Sequence, residues 1–203
     1  MKLKIFLWLI LVFSAALGIF AADSLLTQRA LAEKTVRLHV VANSDAEDDQ
    51  AQKLRVRDAV LEAVSALTAE CRNSDEAQQI MRENLNVIES AARDVLRAEG
   101  SDYALRVSLG TERFDTRRYD TFTLPAGRYP ALRVSIGAAE GKNWWCVVFP
   151  SLCMAATSDA VRQCAEVGGY DGAESALVTG GEERYVVRFK TLEWLQKVVS
   201  WFD

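Results

Sequence analysis

Residues 35–42 (TVRLHVVA) are so dense in β-branched and apolar side chains that they predict a strand covered on both faces. Asn43-Ser44-Asp45 stops it, and from there the pattern turns helical. Ser44 and Glu47, three residues apart, have the spacing of a capping box, each side chain answering one unpaired backbone N–H. Asp45, Glu47, Asp48 and Asp49 then crowd the first turn, where the helix dipole favours negative charge. The helix is expected to run to about Leu67, with Leu54, Val60, Leu61, Val64 and Leu67 inward. Lys53, Arg55, Arg57 and Glu62 are expected mostly outward.

Asn73 and Glu76 repeat the capping logic at the head of a second helix. Ala77, Ile80, Met81, Leu85, Ile88, Ala92, Val95 and Leu96 follow a three-four spacing along one face, and Gly100 closes the segment as a left-handed cap. An αα-hairpin is therefore expected after the first strand. From Tyr103 the period becomes two: Tyr103, Leu105, Val107 and Leu109 alternate with polar or small residues, as in a strand with one buried face. Phe114, Tyr119, Phe122 and Leu124 continue as a hairpin-like segment ending at Pro125-Ala126-Gly127. Leu132, Val134 and Ile136 alternate again, residues 137–141 turn the chain, and residues 143–149 form the next strand. Residues 168–181 hold five of the eleven glycines and read as a flexible, exposed connection. A last strand is expected over 184–190 and an amphipathic helix over 192–202, which carries Trp194 and Trp201. The whole predicts an α+β fold. A largely antiparallel sheet, its strands in meander order, is covered by the αα-hairpin and a C-terminal helix.

Ahead of all this, Lys2 and Lys4 precede an apolar run over residues 5–22. A basic start feeding such a run is the pattern of a secretory signal or an N-terminal anchor. The basic flank stays inside, which sends the body outward. A run of 18 residues lies at the short edge of what crosses a bilayer, so cleavage and retention both remain open. The expected organisation is a signal or anchor at 1–22, a linker at 23–34 and one extracytoplasmic domain at 35–203. Without Lys2 and Lys4 the remainder has 22 basic and 28 acidic residues. That acidic balance argues against nucleic acid and against a polybasic membrane patch. Membrane contact is expected through the N-terminal segment only.

Four cysteines remain, and four allow three full connectivities. Cys146 and Cys153 lie close together, flank Pro150, and make a plausible bridge in an oxidising compartment. The alternative is four reduced, buried thiols. No pair has CxxC spacing, so zinc is not expected. The acidic cluster at 45–49 lacks the glycine and spacing of a calcium loop. No cofactor or other metal is expected.

His39 is the sole histidine, and Asn43, Ser44 and Asp45 follow it closely. No Gly-x-Ser-x-Gly elbow surrounds Ser44, and neighbours on one strand end rarely converge as a triad. No catalytic residue is assigned; a hydrolase built around His39, Asn43 and Asp45 is the alternative to be tested. In residues 141–146 (GKNWWC), the two tryptophans of a strand must point to opposite faces. One can enter the core and the other is a candidate aromatic anchor for a protein partner. The partner-binding candidates are His39, Asn43, Asp45, Lys142, Asn143, Trp144 and Trp145, expected to share a sheet end if their strands are adjacent.

Several blocks together resemble the stage II sporulation protein R family of endospore-forming bacteria. They are residues 36–45 (VRLHVVANSD), 50–53 with Val56-Arg57-Asp58, 123–129 (TLPAGRY) with 131–134 (ALRV), and 141–150 (GKNWWCVVFP) with Leu152 and Cys153. The likeness spans about residues 35–154. It implies an exported signal made in the forespore and acting in the space between forespore and mother cell. There the family triggers a membrane-embedded aspartic protease of the mother cell, which processes a sigma factor precursor. The family has no established catalytic residues to carry over.

Overall fold

A computed structural model of the chain describes residues 2–155 and 157–179. The expected strand over 184–190 and helix over 192–202 lie outside the described residues. In chain order the elements are α1 (Lys2–Glu33), β1 (Val36–Val41), α2 (Glu47–Leu67), α3 (Ser74–Glu83), α4 (Leu85–Ala98) and β2 (Leu105–Phe114). The short strands β3 (Arg117–Arg118) and β4 (Thr123–Leu124) precede β5 (Gly127–Ile136) and β6 (Asn143–Phe149). Helices α5 (Ser158–Val167) and α6 (Gly172–Thr179) follow.

The fold is α+β, with a mostly antiparallel four-stranded sheet in the order β2-β5-β1-β6. Only the β1–β5 pair is parallel. The order departs from the expected meander, because β1 lies between the consecutive strands β5 and β6. Burial explains the position. All six residues of β1 are buried, and a strand with this pattern belongs at the centre of a sheet, not at its edge.

Val36, Leu38 and Val40 face the helices. They meet Val56, Val60 and Val64 of α2 and Ile88, Ala92 and Leu96 of α4, with Leu132, Val134 and Ile136 beside them on β5. Each fully buried Val, Leu or Ile contributes about 1.5–3 kcal/mol relative to exposure. The three-four spacing of α2 thus sets which side lies on the sheet. Lys53 departs from its expected outward position and is 4% exposed. Its Nζ donates to Gln50 Oε1 at 2.6 Å and to the Lys142 carbonyl at 2.9 Å. Burial pushes the Lys53 pKa down.

The second helix is two helices. Asn84 interrupts it, its side-chain amide donating to the Ile80 carbonyl at 2.8 Å. A short amide that bonds its own turn competes with the helical ladder. At the start of α3, Asn73 caps as expected: Oδ1 accepts from Glu76 N at 2.9 Å while Glu76 Oε1 accepts from Asn73 Nδ2 at 2.8 Å. Gly100, at φ 68°, ends α4 in the left-handed region.

The opposite sheet face carries Arg37, His39 and Val41. Part of it is covered by the end of α1. Residues 23–34, expected as a linker, remain helical through Glu33. Leu31 is completely buried, Gln28 Nε2 donates to the Ala126 carbonyl, and Ala32 packs with Phe114, Tyr129 and Ala131. These contacts stabilise the helical continuation. α5, α6 and the β3–β4 hairpin complete the cover, with Leu31, Leu124, Val147, Val161 and Tyr170 in one cluster. Gly172–Thr179 is helical within the segment expected as a flexible connection. By contrast, residues 5–13 of α1 expose their large apolar side chains. They belong to a helical segment, Lys4–Glu33, that is long and apolar enough to cross a membrane.

Candidate functional site

The β1–α2 loop and the β5–β6 turn are joined into one structure at a sheet end. To connect strands on either side of β1, residues 137–142 pass over the end of that strand. Glu140 N donates to the Asn43 carbonyl at 3.1 Å and Gly141 N to the Ala42 carbonyl at 3.0 Å. Side chains add to this. Asn43 Oδ1 accepts from Ala138 N at 2.9 Å, and Asp45 Oδ1 accepts from Lys142 N at 2.7 Å. The approach is so close that a Cβ on Gly141 would stand 2.2 Å from the Ser44 carbonyl oxygen, a contact that forces backbone to move.

Ser44 does not cap α2 by the expected box. The cap position is Ala46, which makes no side-chain bond; Ser44 stands two residues too early, because the loop needs Asp45 and Ala46 before the helix begins. Its hydroxyl instead donates to Asp49 Oδ2 at 2.6 Å and accepts from Ala46 N at 3.1 Å. Asn43 Nδ2 also donates to Asp49 Oδ2, at 2.8 Å. These two donors, Ser44 first, hold the Asp49 carboxyl below the usual carboxylate range despite its burial. From sequence, Asn43 only ends the strand and Asp45 only joins the acidic first turn of the helix; in the structure they also brace a turn, through partners 95 and 97 residues further along the chain.

The remaining candidates occupy adjacent strands. Along β1 and β6, His39 is level with Trp145, Val40 with Trp144 and Val41 with Asn143. The tryptophans take opposite faces. Trp144 is 37% exposed on the helix side, with the Arg57 guanidinium 4.4 Å from its ring centroid. Trp145 stacks on His39, ring centroids 3.7 Å apart at 19°, and meets Phe114 edge-on at 4.9 Å. His39, 4% exposed, is held from both sides: Nδ1 is 2.7 Å from Glu112 Oε2 and Nε2 is 2.7 Å from Asn143 Oδ1. Arg133 Nη1 lies 3.4 Å from Glu112 Oε1. With both neighbours accepting, the ring carries two protons. With the Asn143 amide turned over, it carries one. Either way, both ring nitrogens are engaged. Lys142 and Asn143 are exposed beside this cluster.

Sequence reasoning missed Glu112 and Arg133. They come from β2 and β5, and the one available signal was a carboxylate on the polar parity of an alternating strand. It also missed Arg37, two residues before His39 on the same face and fully buried. The Arg37 guanidinium lies 4.2 Å from the Phe114 ring centroid and 5.0 Å from that of Tyr129. Its Nη2 donates to Tyr119 Oη at 2.8 Å. The ring faces supply the negative potential that a carboxylate would otherwise provide. Burial also pushes the Tyr119 phenol up.

Cys146 and Cys153 are joined by a disulfide, seven residues apart. Val147 N donates to Cys153 Sγ at 3.1 Å. Cys71 and Cys164 are free thiols. Among the described residues, no group of three or more His, Cys, Asp or Glu side chains could hold a metal ion.

The description "Stage II sporulation protein R (spore_II_R)" belongs to a family pattern that matches residues 32–159, more than half of the chain. The chain belongs to the stage II sporulation protein R family. The match begins at the end of α1 and takes in the whole four-stranded sheet. A relative named Stage II sporulation protein R, from Bacillus subtilis (strain 168), is 34% identical over 121 residues. That alignment covers 60% of this chain and 54% of the relative, so the chain spans about half the length of its curated relative. No solved structure matches. The family assignment makes this a sporulation protein. The apolar part of α1 fits a signal peptide or an anchor, as export would require.

Proposed function

We propose that this protein is an exported signal of sporulation. It activates a membrane-embedded aspartic protease of the mother cell, in the space between forespore and mother cell, and so leads to processing of a sigma factor precursor. The protease face it meets is the outward one, and activation follows if binding is tighter to the protease's active state. The observation that carries this reading is the joined sheet end. The two most distinctive family segments, residues 39–45 and 141–146, form one braced surface that presents Lys142 and Asn143 outward beside a half-buried Trp145. A surface braced in this way suits recognition, because few side chains have to be ordered on binding.

The alternative, a hydrolase built around His39, needs a ring nitrogen turned toward a substrate. Glu112 and Asn143 occupy both, which favours the signalling reading. The test is co-expression with the cognate protease and sigma factor precursor in a non-sporulating host, scoring precursor cleavage. Asn143→Ala is expected to lower cleavage while leaving the thermal midpoint within a few degrees. His39→Gln, which keeps one hydrogen bond, is expected to retain signalling. Full precursor cleavage with Asn143→Ala and Lys142→Ala combined would remove the surface from consideration. Loss of signalling in a folded His39→Gln variant would bring the enzyme back.

A further inference from the structure

The strand order leaves β2 and β6 at the two edges of the sheet, and the edges are not alike. Beside β6 the chain folds back: Val147 N donates to Cys153 Sγ at 3.1 Å, and the disulfide joins Cys153 to Cys146. Among the described residues, no strand pairs with the outer side of β2. Its register with β5 runs unbroken from Leu105 to Phe114, with no bulge and no proline in β2. A long regular edge is a template for another strand, which bulges, proline or a covering segment would otherwise blunt.

The groups that face outward can be named. The Ala104 carbonyl accepts from Gly137 N at 2.7 Å. The even-numbered residues of β2 therefore bond to β5, and the odd-numbered ones turn N–H and C=O to the free edge. Pro130, which has no N–H to give, accordingly faces the odd-numbered Thr111. The outward set is Leu105, Val107, Leu109, Thr111 and Arg113, centred on Leu109.

A second β2 run antiparallel about Leu109 matches this whole set to itself. Leu109 meets Leu109, Val107 meets the second copy's Thr111, and Leu105 meets its Arg113, each pair placed to exchange two backbone bonds. On the face that bears His39, Ser108 comes opposite Gly110, so small residues meet. Exposed Arg106 comes opposite Glu112. Glu112 leans toward His39, with Arg133 Nη1 at 3.4 Å from its Oε1, and a carboxylate has lone pairs for a further donor. Opposite charges across a ladder stabilise it, and this register sets no like charges directly opposite each other.

We propose that two copies of this chain pair edge to edge through β2, antiparallel about Leu109, and join their sheets into one. The twofold axis lies along the sheet normal, so the two β1 strands, and the α1 helices leading into them, start at opposite ends. The pairing therefore belongs to copies released from the membrane, and it is independent of the protease reading. An interface this small gives a weak association.

The test uses the full chain in detergent micelles, where each α1 has its own micelle. Sedimentation equilibrium and amide hydrogen exchange are followed from about 1 to 200 µM protein. A dimer with a dissociation constant on the order of 10–100 µM is expected. As it forms, exchange over 105–113 should slow about threefold or more, with 137–142 unchanged. Thr111→Pro removes an outward N–H and no bond to β5, so it should raise the dissociation constant about tenfold or more in a folded monomer. Arg106→Glu sets like charge against Glu112 and should also weaken the dimer, which keeps the test decisive if the proline variant folds poorly. A chain that stays monomeric throughout would overturn the proposal. So would a dimer that leaves 105–113 exchanging as in the monomer, the sign of contact through α1 or another face, or one that survives both substitutions. Slowing over 105–113 that needs added protease would assign the edge to a strand of that partner and equally remove the second copy.

Discussion

Asp49→Asn should weaken the protein by an amount that depends on pH in a defined direction. The Asp49 carboxylate receives hydrogen bonds from Ser44 Oγ and Asn43 Nδ2 at 2.6 and 2.8 Å. These two bonds outweigh burial and hold its folded-state pKa below the ordinary value. A hydrogen bond to a charged group contributes about 1.5–3 kcal/mol. An asparagine keeps one acceptor oxygen but loses the charge and places an NH₂ among donors, so a loss of about 2–3 kcal/mol is expected near neutral pH. The sign follows from linkage. A carboxyl whose folded pKa is depressed stabilises fully above its unfolded pKa, about 3.9, and loses that contribution as pH falls through the folded value. Urea melts of both proteins at pH 7, 5, 4 and 3 should show a constant difference between pH 7 and 5. The difference should shrink below about pH 4. Glu76 and Glu99 are also held low, but they are common to both proteins and cancel in the difference. A difference that persists undiminished at pH 3, or is missing at pH 7, would refute the reasoning. Because Asn43 also holds Ala138 N, the variant should speed amide exchange over residues 137–142.

The two tryptophans should separate in thermal melts. Trp145→Ala removes the His39 stack and the Phe114 contact and should cost about 2–4 kcal/mol, whereas Trp144→Ala loses mainly the Arg57 contact and should cost under about 1 kcal/mol. Cys153→Ser opens a short loop and should cost about 2–3 kcal/mol, with mass spectrometry of non-reduced peptides locating the bridge in exported protein. Deleting residues 2–22 should abolish function by preventing export while circular dichroism shows a folded domain. Deleting residues 2–33 also removes the fully buried Leu31 and should lower stability by a further ~2–5 kcal/mol in urea.

Local periodicity made much of the fold legible. The buried run at 36–41, the three-four spacing of α2 and α4, and the two-residue alternation of β2 and β5 each follow from contacts near in sequence. So does the opposite facing of Trp144 and Trp145, which strand geometry imposes on any adjacent pair. The family words at 36–45 and 141–150 were readable without a structure, as was the apolar segment ahead of them. Strand order was not. Placing β1 between β5 and β6 depends on which surfaces cover which, a global balance of burial that no local window contains. That placement decides the site: it carries the 137–142 turn across the end of β1 and makes braces of Asn43 and Asp45. It also brings Glu112 and Arg133 to His39. The misreading of Lys53 shares this origin, since local propensity makes it a solvated cation and the Lys142 carbonyl is met only through tertiary contact. The misreading of Ser44 is local: its hydroxyl takes Asp49, five residues on, in place of a backbone donor of the capping box. Sequence determines the elements and their faces because those rest on short-range geometry. Tertiary structure decides neighbours, because they rest on long-range burial.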